Sequence, residues 1–384
     1  MKPQRLTDLT GASCSAEDAP LVTQGRLVRI RGQNILFSAS RRAIFALSDT
    51  SADIWHALED GLPLEAIAVR IANDSVDAHE ARGQVEVALS DWERLDLIRP
   101  RAPSQIPSHG HVSQLVAVRG LCVRIVYPAA LAFPTMTIFR HLEVRRERIA
   151  DIRIEVVEGG DRVHLFRNGD WIHSCSPDEL ATVLKGQLLT DALEHGAYEL
   201  ALHAAALIKN DRMLLLCGSP GAGKTTLTLA LAHAGFGFAA DDVTVLDSMG
   251  HGLGLPFAPA VKAGAWPLLA EYCPDLGAAP VFRRPDRKRV RYVVPSGLSA
   301  ATSSPTPVGW IVLLRRDHDS PACLEPIDSV GALHGLLNGA FAPGRELGGS
   351  GFEALAQVIG SAEAYCLTYS GLDDAVRLIR KTCR

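Results

Sequence analysis

The chain has 384 residues, 47% of them apolar and 21% charged, which is the balance of a globular protein and not of a disordered chain, a collagen or a coiled-coil rod. At roughly 150 residues per domain, that length allows two or three domains. With 39 basic and 43 acidic residues the net charge is -4, so no bulk positive field draws the chain to nucleic acid or to a membrane surface.

In chain order, residues 1–20 are small and polar and read as a disordered N-terminus without the apolar stretch of a secretory signal. No run reaches the ~18 apolar residues of a membrane span. The eight cysteines include no C-x-x-C pair, so scattered reduced thiols and a cytoplasmic location are expected. Strand-like alternation follows at Leu27–Arg31, Ile35–Ser38 and Ala43–Leu47. The period then changes to that of helices, over Ala52–Leu58 ending at Gly61, over Pro63–Ala72, and over Asp77–Leu95 with Val85, Val87, Leu89, Trp92 and Leu95 as its apolar residues. Three strands and three helices make a small winged-helix-like α+β domain over 21–100. The proline-rich residues 101–111 read as a linker. A second domain spans 112–384, with strands expected at Leu115–Val118, Cys122–Tyr127, Ile152–Val157 and Val163–Phe166 and a helix at Pro177–Leu193.

The strongest motif follows the apolar run Met213–Cys217. Gly218-Ser219-Pro220-Gly221-Ala222-Gly223-Lys224-Thr225 fits G-x-x-x-x-G-K-[ST], and a helical segment continues through Thr226 to Ala234. Glycines allow the backbone to wrap a phosphate, and the amides at the helix start hold the anion. The Lys224 ammonium suits the β- and γ-phosphates and the Thr225 hydroxyl suits Mg²⁺. A nucleoside triphosphate with Mg²⁺ is therefore the expected ligand.

Seventeen residues after Lys224 stands Asp241, with Asp242 beside it, at the end of a strand-like run. One helix and one strand fit that interval, which returns both acids to the phosphates. Adjacent acids can divide labour between the metal and an attacking hydroxyl. His203, in Leu202-His-Ala-Ala-Ala-Leu-Ile208, reads by itself as a packed core histidine. Six cations, Arg283, Arg284, Arg287, Lys288, Arg289 and Arg291, fall within nine residues and suit either a solvated loop or a clamp for phosphates or an acidic peptide. Asp317-His318-Asp319 with Ser320-Pro321 reads as a turn.

The run from Leu202-His203 through the phosphate loop to Asp241-Asp242-Val243 resembles the core of HPr kinase/phosphorylase and related kinases. The resemblance implies an α/β P-loop kinase domain of the HPr kinase/phosphoenolpyruvate carboxykinase type, using ATP (or GTP) and Mg²⁺ and assembling as a homo-oligomer. It implies Asp241 as general base for a serine hydroxyl, Asp242 as a metal ligand and His203 as helper of the base. Pro256–Lys262 is similar to a proline-rich segment of that group, which implies Lys262 beside substrate or phosphate; from the basic run, Arg284 and Arg287 are further substrate candidates. Residues 25–100 resemble PqqD, a peptide-binding element of modified-peptide pathways. In such elements a leader peptide adds as a strand and packs on the third helix, which implies contacts with Ile44, Phe45, Ala46, Val85, Leu89 and Trp92. Together the two resemblances imply a kinase for a ribosomally made precursor peptide, the leader held by the first domain and a Ser or Thr phosphorylated by the second. The alternatives are a small-molecule kinase and a nucleotide-gated peptide-binding ATPase.

Overall fold

The structure, a computed structural model, describes residues 21–39, 42–72, 77–95, 97–100, 110–144, 148–159, 162–295, 304–317, 319–342 and 346–384. The N-terminus expected to be disordered, and the linker up to residue 109, lie outside the described residues. His111 already begins a strand, His111–Val118. The fold is mixed α/β with several sheets and divides into two units, Met1–His111 with Ile154–Cys175, and Val112–Arg153 with Ser176–Arg384. The second unit therefore does not run unbroken from residue 112, because residues 154–175 group with the first.

In the first unit, Arg26–Ile30, Gln33–Ser38 and Ala43–Leu47 form an antiparallel three-stranded sheet with Gln33–Ser38 in the middle. Leu27, Leu36 and Phe45 lie opposite one another across it and turn inward. Three helices cover that face, Asp49–Glu59, Leu64–Ile71 and Ala78–Arg94. Their starts are chemically defined. Ser48 caps the first by accepting from the Ser51 amide, and Asp77 caps the third by accepting from Glu80. Their apolar stripes supply Ile54, Trp55, Ile67, Val85, Leu89 and Trp92 to one core, with the Trp55 and Trp92 rings edge to face at 5.2 Å. Val87, expected on the apolar side of the third helix, faces solvent. The antiparallel strands Ile152–Gly159, Arg162–Arg167 and Asp170–Cys175 follow one another in a meander. Arg99 lies over the Trp171 ring at 4.5 Å and Arg162 pairs with Glu93 at 3.9 Å, tying the meander to this unit.

The second unit is built on a ten-stranded sheet. Its loop strand, Arg212–Cys217, pairs in parallel with Thr306–Arg316, which pairs in parallel with Glu363–Tyr369. On its other side the loop strand pairs antiparallel with Ala205–Lys209, and that strand pairs antiparallel with Gly237–Ala240. All four of Arg212–Cys217, Thr306–Arg316, Glu363–Tyr369 and Gly237–Ala240 thus point their carboxyl ends the same way, where ligands bind in open α/β sheets. The run Met213–Cys217 is apolar throughout because both faces are covered. Leu214 and Leu216 pack against the helices Lys224–His233 and Leu372–Thr382, whereas Met213, Leu215 and Cys217 pack against Ser329–Leu337 and Gly349–Ser361. Each buried leucine of this kind contributes about 1.5–3 kcal/mol, so the loop springs from a rigid platform.

Candidate phosphate-binding and phosphoryl-transfer site

The expected phosphate loop forms between the loop strand and the helix Lys224–His233. Gly221 and Gly223 both hold φ of 94°, a left-handed conformation that a side chain would strain. The Ala222 amide donates to the Ser219 carbonyl at 3.1 Å and closes the loop on itself. Ser219, Pro220 and Gly221 form its exposed crest, while Ala222, Lys224 and Thr226 are buried at its base. The Lys224 ammonium donates to the Gly218 carbonyl across the loop at 2.6 Å. Burial lowers its pKa, opposed chiefly by the charges of Asp242, Cys217 and Asp241. A cation held at the mouth of a glycine-rich loop, on the N-terminus of a helix of ten residues, has the chemistry to hold a polyphosphate.

The strand Gly237–Ala240 delivers Asp241 and Asp242 to the same edge. Asp241 is buried, and its Oδ2 accepts from the Thr225 hydroxyl at 3.2 Å, while its Oδ1 has no hydrogen-bond partner. Burial pushes its pKa up to about 6, against the charge of Lys185, which lowers it. Asp242 is half-exposed, and its Oδ1 lies 3.2 Å from His203 Nδ1. The histidine follows the strand Leu200–Leu202, whose Leu202 stands opposite Thr244, and its amide donates to the Gly339 carbonyl at 2.7 Å. That pairing turns His203 out of the core toward Asp242, so it is no packed core histidine.

The geometry sets the two acids apart. Asp241 stands on the Thr225 side with a buried oxygen that needs a partner, which suits a metal. Asp242 and His203 are the solvent-facing pair, which suits proton transfer from an incoming hydroxyl. The two acids stand in the bend just past the strand end at Ala240, one side chain on Thr225 and the other on His203.

Among the other expected residues, Lys262 ends the strand Ala260–Lys262 and is exposed, and its charge acts on Lys224 and lowers that pKa. Arg284 and Arg287 do not join the site. Arg284 pairs with Asp286 at 3.3 Å, and Arg287 holds φ of 63° in the turn before Arg289–Tyr292. Arg283 pairs with Asp178, Lys288 with Asp286, and Arg289 and Arg291 lie over the Trp266 ring. Most of the basic run is thus engaged by Asp286, Asp178 and Trp266. In the first unit, Ile44 and Ala46 are exposed on the edge strand Ala43–Leu47 and Phe45 is half-buried, but Val85, Leu89 and Trp92 are core residues with no face for a peptide. Asp317 forms the expected turn, accepting from the Asp319 amide and the Ser320 hydroxyl; His318 lies outside the described residues.

Three residues at this edge have no sequence motif. Lys185, on the helix Leu180–His195, is buried over the Tyr292 ring at 5.4 Å and supplies positive charge to Asp241. Tyr369 donates from its hydroxyl to the Ala222 carbonyl at 2.9 Å, and Arg316 lies 5.8 Å from the Tyr369 ring. Their roles follow from strand register, and the one local hint is the Arg315-Arg316 pair ending an apolar strand.

No protein-family model matches the chain, and no curated protein matches it. Among solved structures, the Hpr(Ser) kinase/phosphatase from Coxiella burnetii is similar over 47% of this chain and 89% of that one, at 14% identity and a TM-score of 0.24. A likeness that distant carries no function across, and the reading below rests on the chain's own residues. No helix among the described residues is long and apolar enough to cross a membrane.

Proposed function

We propose that the second unit is an ATP-dependent phosphotransferase acting on a hydroxyl, and that the hydroxyl belongs to a Ser or Thr of a peptide captured by the first unit. The observation that carries the phosphotransferase reading is the juxtaposition of two different acids with one phosphate loop: a buried acid on Thr225 and a half-exposed acid on His203. The hard oxygen donors of Thr225 and Asp241, one of them an unpartnered buried carboxylate oxygen, fit Mg²⁺. When bound there, the ion neutralises charge on the phosphates.

The loop amides and Lys224 hold the triphosphate and stabilise charge on the transferring group. Asp242, oriented by His203, accepts the acceptor's proton as its oxygen bonds to the γ-phosphorus and the bond to ADP breaks. Among the described residues the strand Ala43–Leu47 ends its sheet, and an edge strand accepts an extended peptide by backbone pairing. Ile44 and Ala46 would supply the side-chain contacts, and the covalent connection of the two units raises the local concentration of the acceptor.

Intact-mass analysis tests the reading. A short Ser- or Thr-containing peptide encoded beside this chain is incubated with the protein, ATP and Mg²⁺. A gain of one phosphoryl group, lost with Asp242→Asn, is the expected result. ATP turnover without transfer to the peptide overturns the peptide reading in favour of another acceptor or of a nucleotide-driven switch.

A further inference from the structure

Beside the loop, on the side away from the two acids, runs the carboxyl end of Thr306–Arg316. Leu313 lies opposite Cys217, so Leu314 to Arg316 extend past the strand pair along the loop itself. A Cβ built on Gly218 would stand 3.1 Å from the Leu314 carbonyl oxygen, and one on Gly223 would stand 3.7 Å from an Arg316 Nη1 and within a clash of the Tyr369 hydroxyl. Arg316 is half-buried and lies directly opposite Tyr369 in the sheet. Tyr369 is buried, its hydroxyl donates to the Ala222 carbonyl, and the Arg316 guanidinium lies 5.8 Å from its ring centre. Among the described residues no carboxylate pairs with Arg316, and the adjacent Asp317 is turned into its own loop by the Asp319 amide and the Ser320 hydroxyl.

We infer that Arg316 is a second cation of the nucleotide site, aimed by Tyr369 and contacting the phosphate chain on the flank opposite Asp241 and Asp242. Three features support it. The guanidinium is half-buried beside an aromatic ring, so little side-chain entropy is lost on binding an anion. It borders the residue that immediately precedes Lys224. Among the described residues it also has no carboxylate of the kind that normally accompanies a half-buried arginine. An arginine offers planar paired donors that match phosphate oxygens, which Lys224 as a point charge does not. Tyr369 acts through others: it fixes the Ala222 carbonyl so that the loop amides face the anion, and it fixes the arginine.

The inference rests on nucleotide binding at the loop and not on the acceptor, so binding is the measurement. Affinities of the full chain for ATP and for inorganic tripolyphosphate are measured by calorimetry for the wild type, Arg316→Gln and Arg316→Lys, with thermal unfolding in the absence of ligand as the folding control. Arg316→Gln is expected to weaken both ligands about tenfold, the scale of one charge-assisted contact, and Arg316→Lys to recover most of the loss. Wild-type affinity for both ligands in Arg316→Gln overturns the inference. So does a loss confined to ATP, which would make the contact one to the base or ribose. A wild type that binds neither ligand would refute the phosphotransferase reading instead. Should Arg316→Gln fail to fold, phenylglyoxal labelling of the wild-type chain decides. Tripolyphosphate protecting Arg316 from modification supports the contact, and labelling unchanged by the ligand overturns it.

Discussion

Two neighbouring carboxylates, Asp241 and Asp242, differ in everything but charge, and the site depends on that difference. Asp241 is buried with one oxygen on Thr225 and one without a partner, and burial holds its pKa near 6. An acid whose pKa rises on folding opposes folding wherever it must ionise. The folded state keeps its proton from the ordinary 3.8 up to about 6, so stability falls as the pH rises through that window and stays reduced above it. Asp241→Asn removes the cost and retains the acceptor for Thr225. In EDTA at neutral pH the variant should be more stable than wild type by roughly 1–3 kcal/mol, a gain that vanishes below about pH 4. The same substitution should weaken Mg²⁺-dependent ATP binding by at least tenfold. Thermal unfolding across pH and calorimetry read the two effects, and a destabilised Asp241→Asn would contradict the assignment. Asp242→Asn should do the reverse. Bound to His203 at half-exposure, it should leave ATP affinity within about threefold of wild type while lowering kcat by roughly 10²–10⁴. Single-turnover kinetics at saturating ATP separates the two variants.

At the scale of elements, the edge strand Ala43–Leu47 and the helix Ala78–Arg94 make opposite predictions for peptide capture. Ile44 is 69% exposed, so Ile44→Asp should change the melting temperature little yet weaken a bound leader peptide at least tenfold. Leu89→Ala should cost about 2–5 kcal/mol, because it opens a cavity beneath Trp92, and should affect the peptide only in proportion to unfolding. Fluorescence anisotropy of a labelled leader, paired with thermal melts, distinguishes them. Equal binding losses at equal stability would return the helix to the peptide site. The same two elements show what a sequence discloses. Helix starts at Ser48 and Asp77 are legible because capping is local chemistry, and the phosphate loop is legible because its geometry demands glycines and Lys224 at fixed spacing. The period of Val85, Leu89 and Trp92 announces a covered face but not what covers it, and here the cover is Trp55 and Ile54. Arg316 and Tyr369 are illegible for a different reason. Their meaning arises only when Thr306–Arg316 pairs in parallel with the loop strand and Glu363–Tyr369 pairs in parallel with Thr306–Arg316, a long-range register that no local pattern encodes.

For the whole molecule, the division into units decides how the protein can be cut. The proline-rich run after Ile98–Pro100 invites a cut at residue 112, yielding a chain of 112–384 that keeps every residue of the phosphate site. The same chain also keeps residues 154–175, which belong to the other unit. It would strand the meander Ile152–Gly159 to Asp170–Cys175 without Arg99 over Trp171 and without Glu93 beside Arg162. The buried His164, whose pKa is pushed down to about 4 by burial and by Arg162, sits on that meander. A histidine held neutral in the folded state contributes stability above pH 6.5 that is lost as the pH falls toward 4. Loss of the Arg99 and Glu93 contacts should loosen the outer strands and wet His164, so that its pKa returns toward 6.5. The expected outcome is that 112–384 aggregates or melts several degrees below the full chain, and that its His164 titrates more than one pH unit higher by NMR. Melting and titration unchanged from the full chain would mean that the meander stands without the first unit. The two units are joined by more than a tether: the chain passes from one to the other, back and forward again, so a single cut after the first helices cannot separate them.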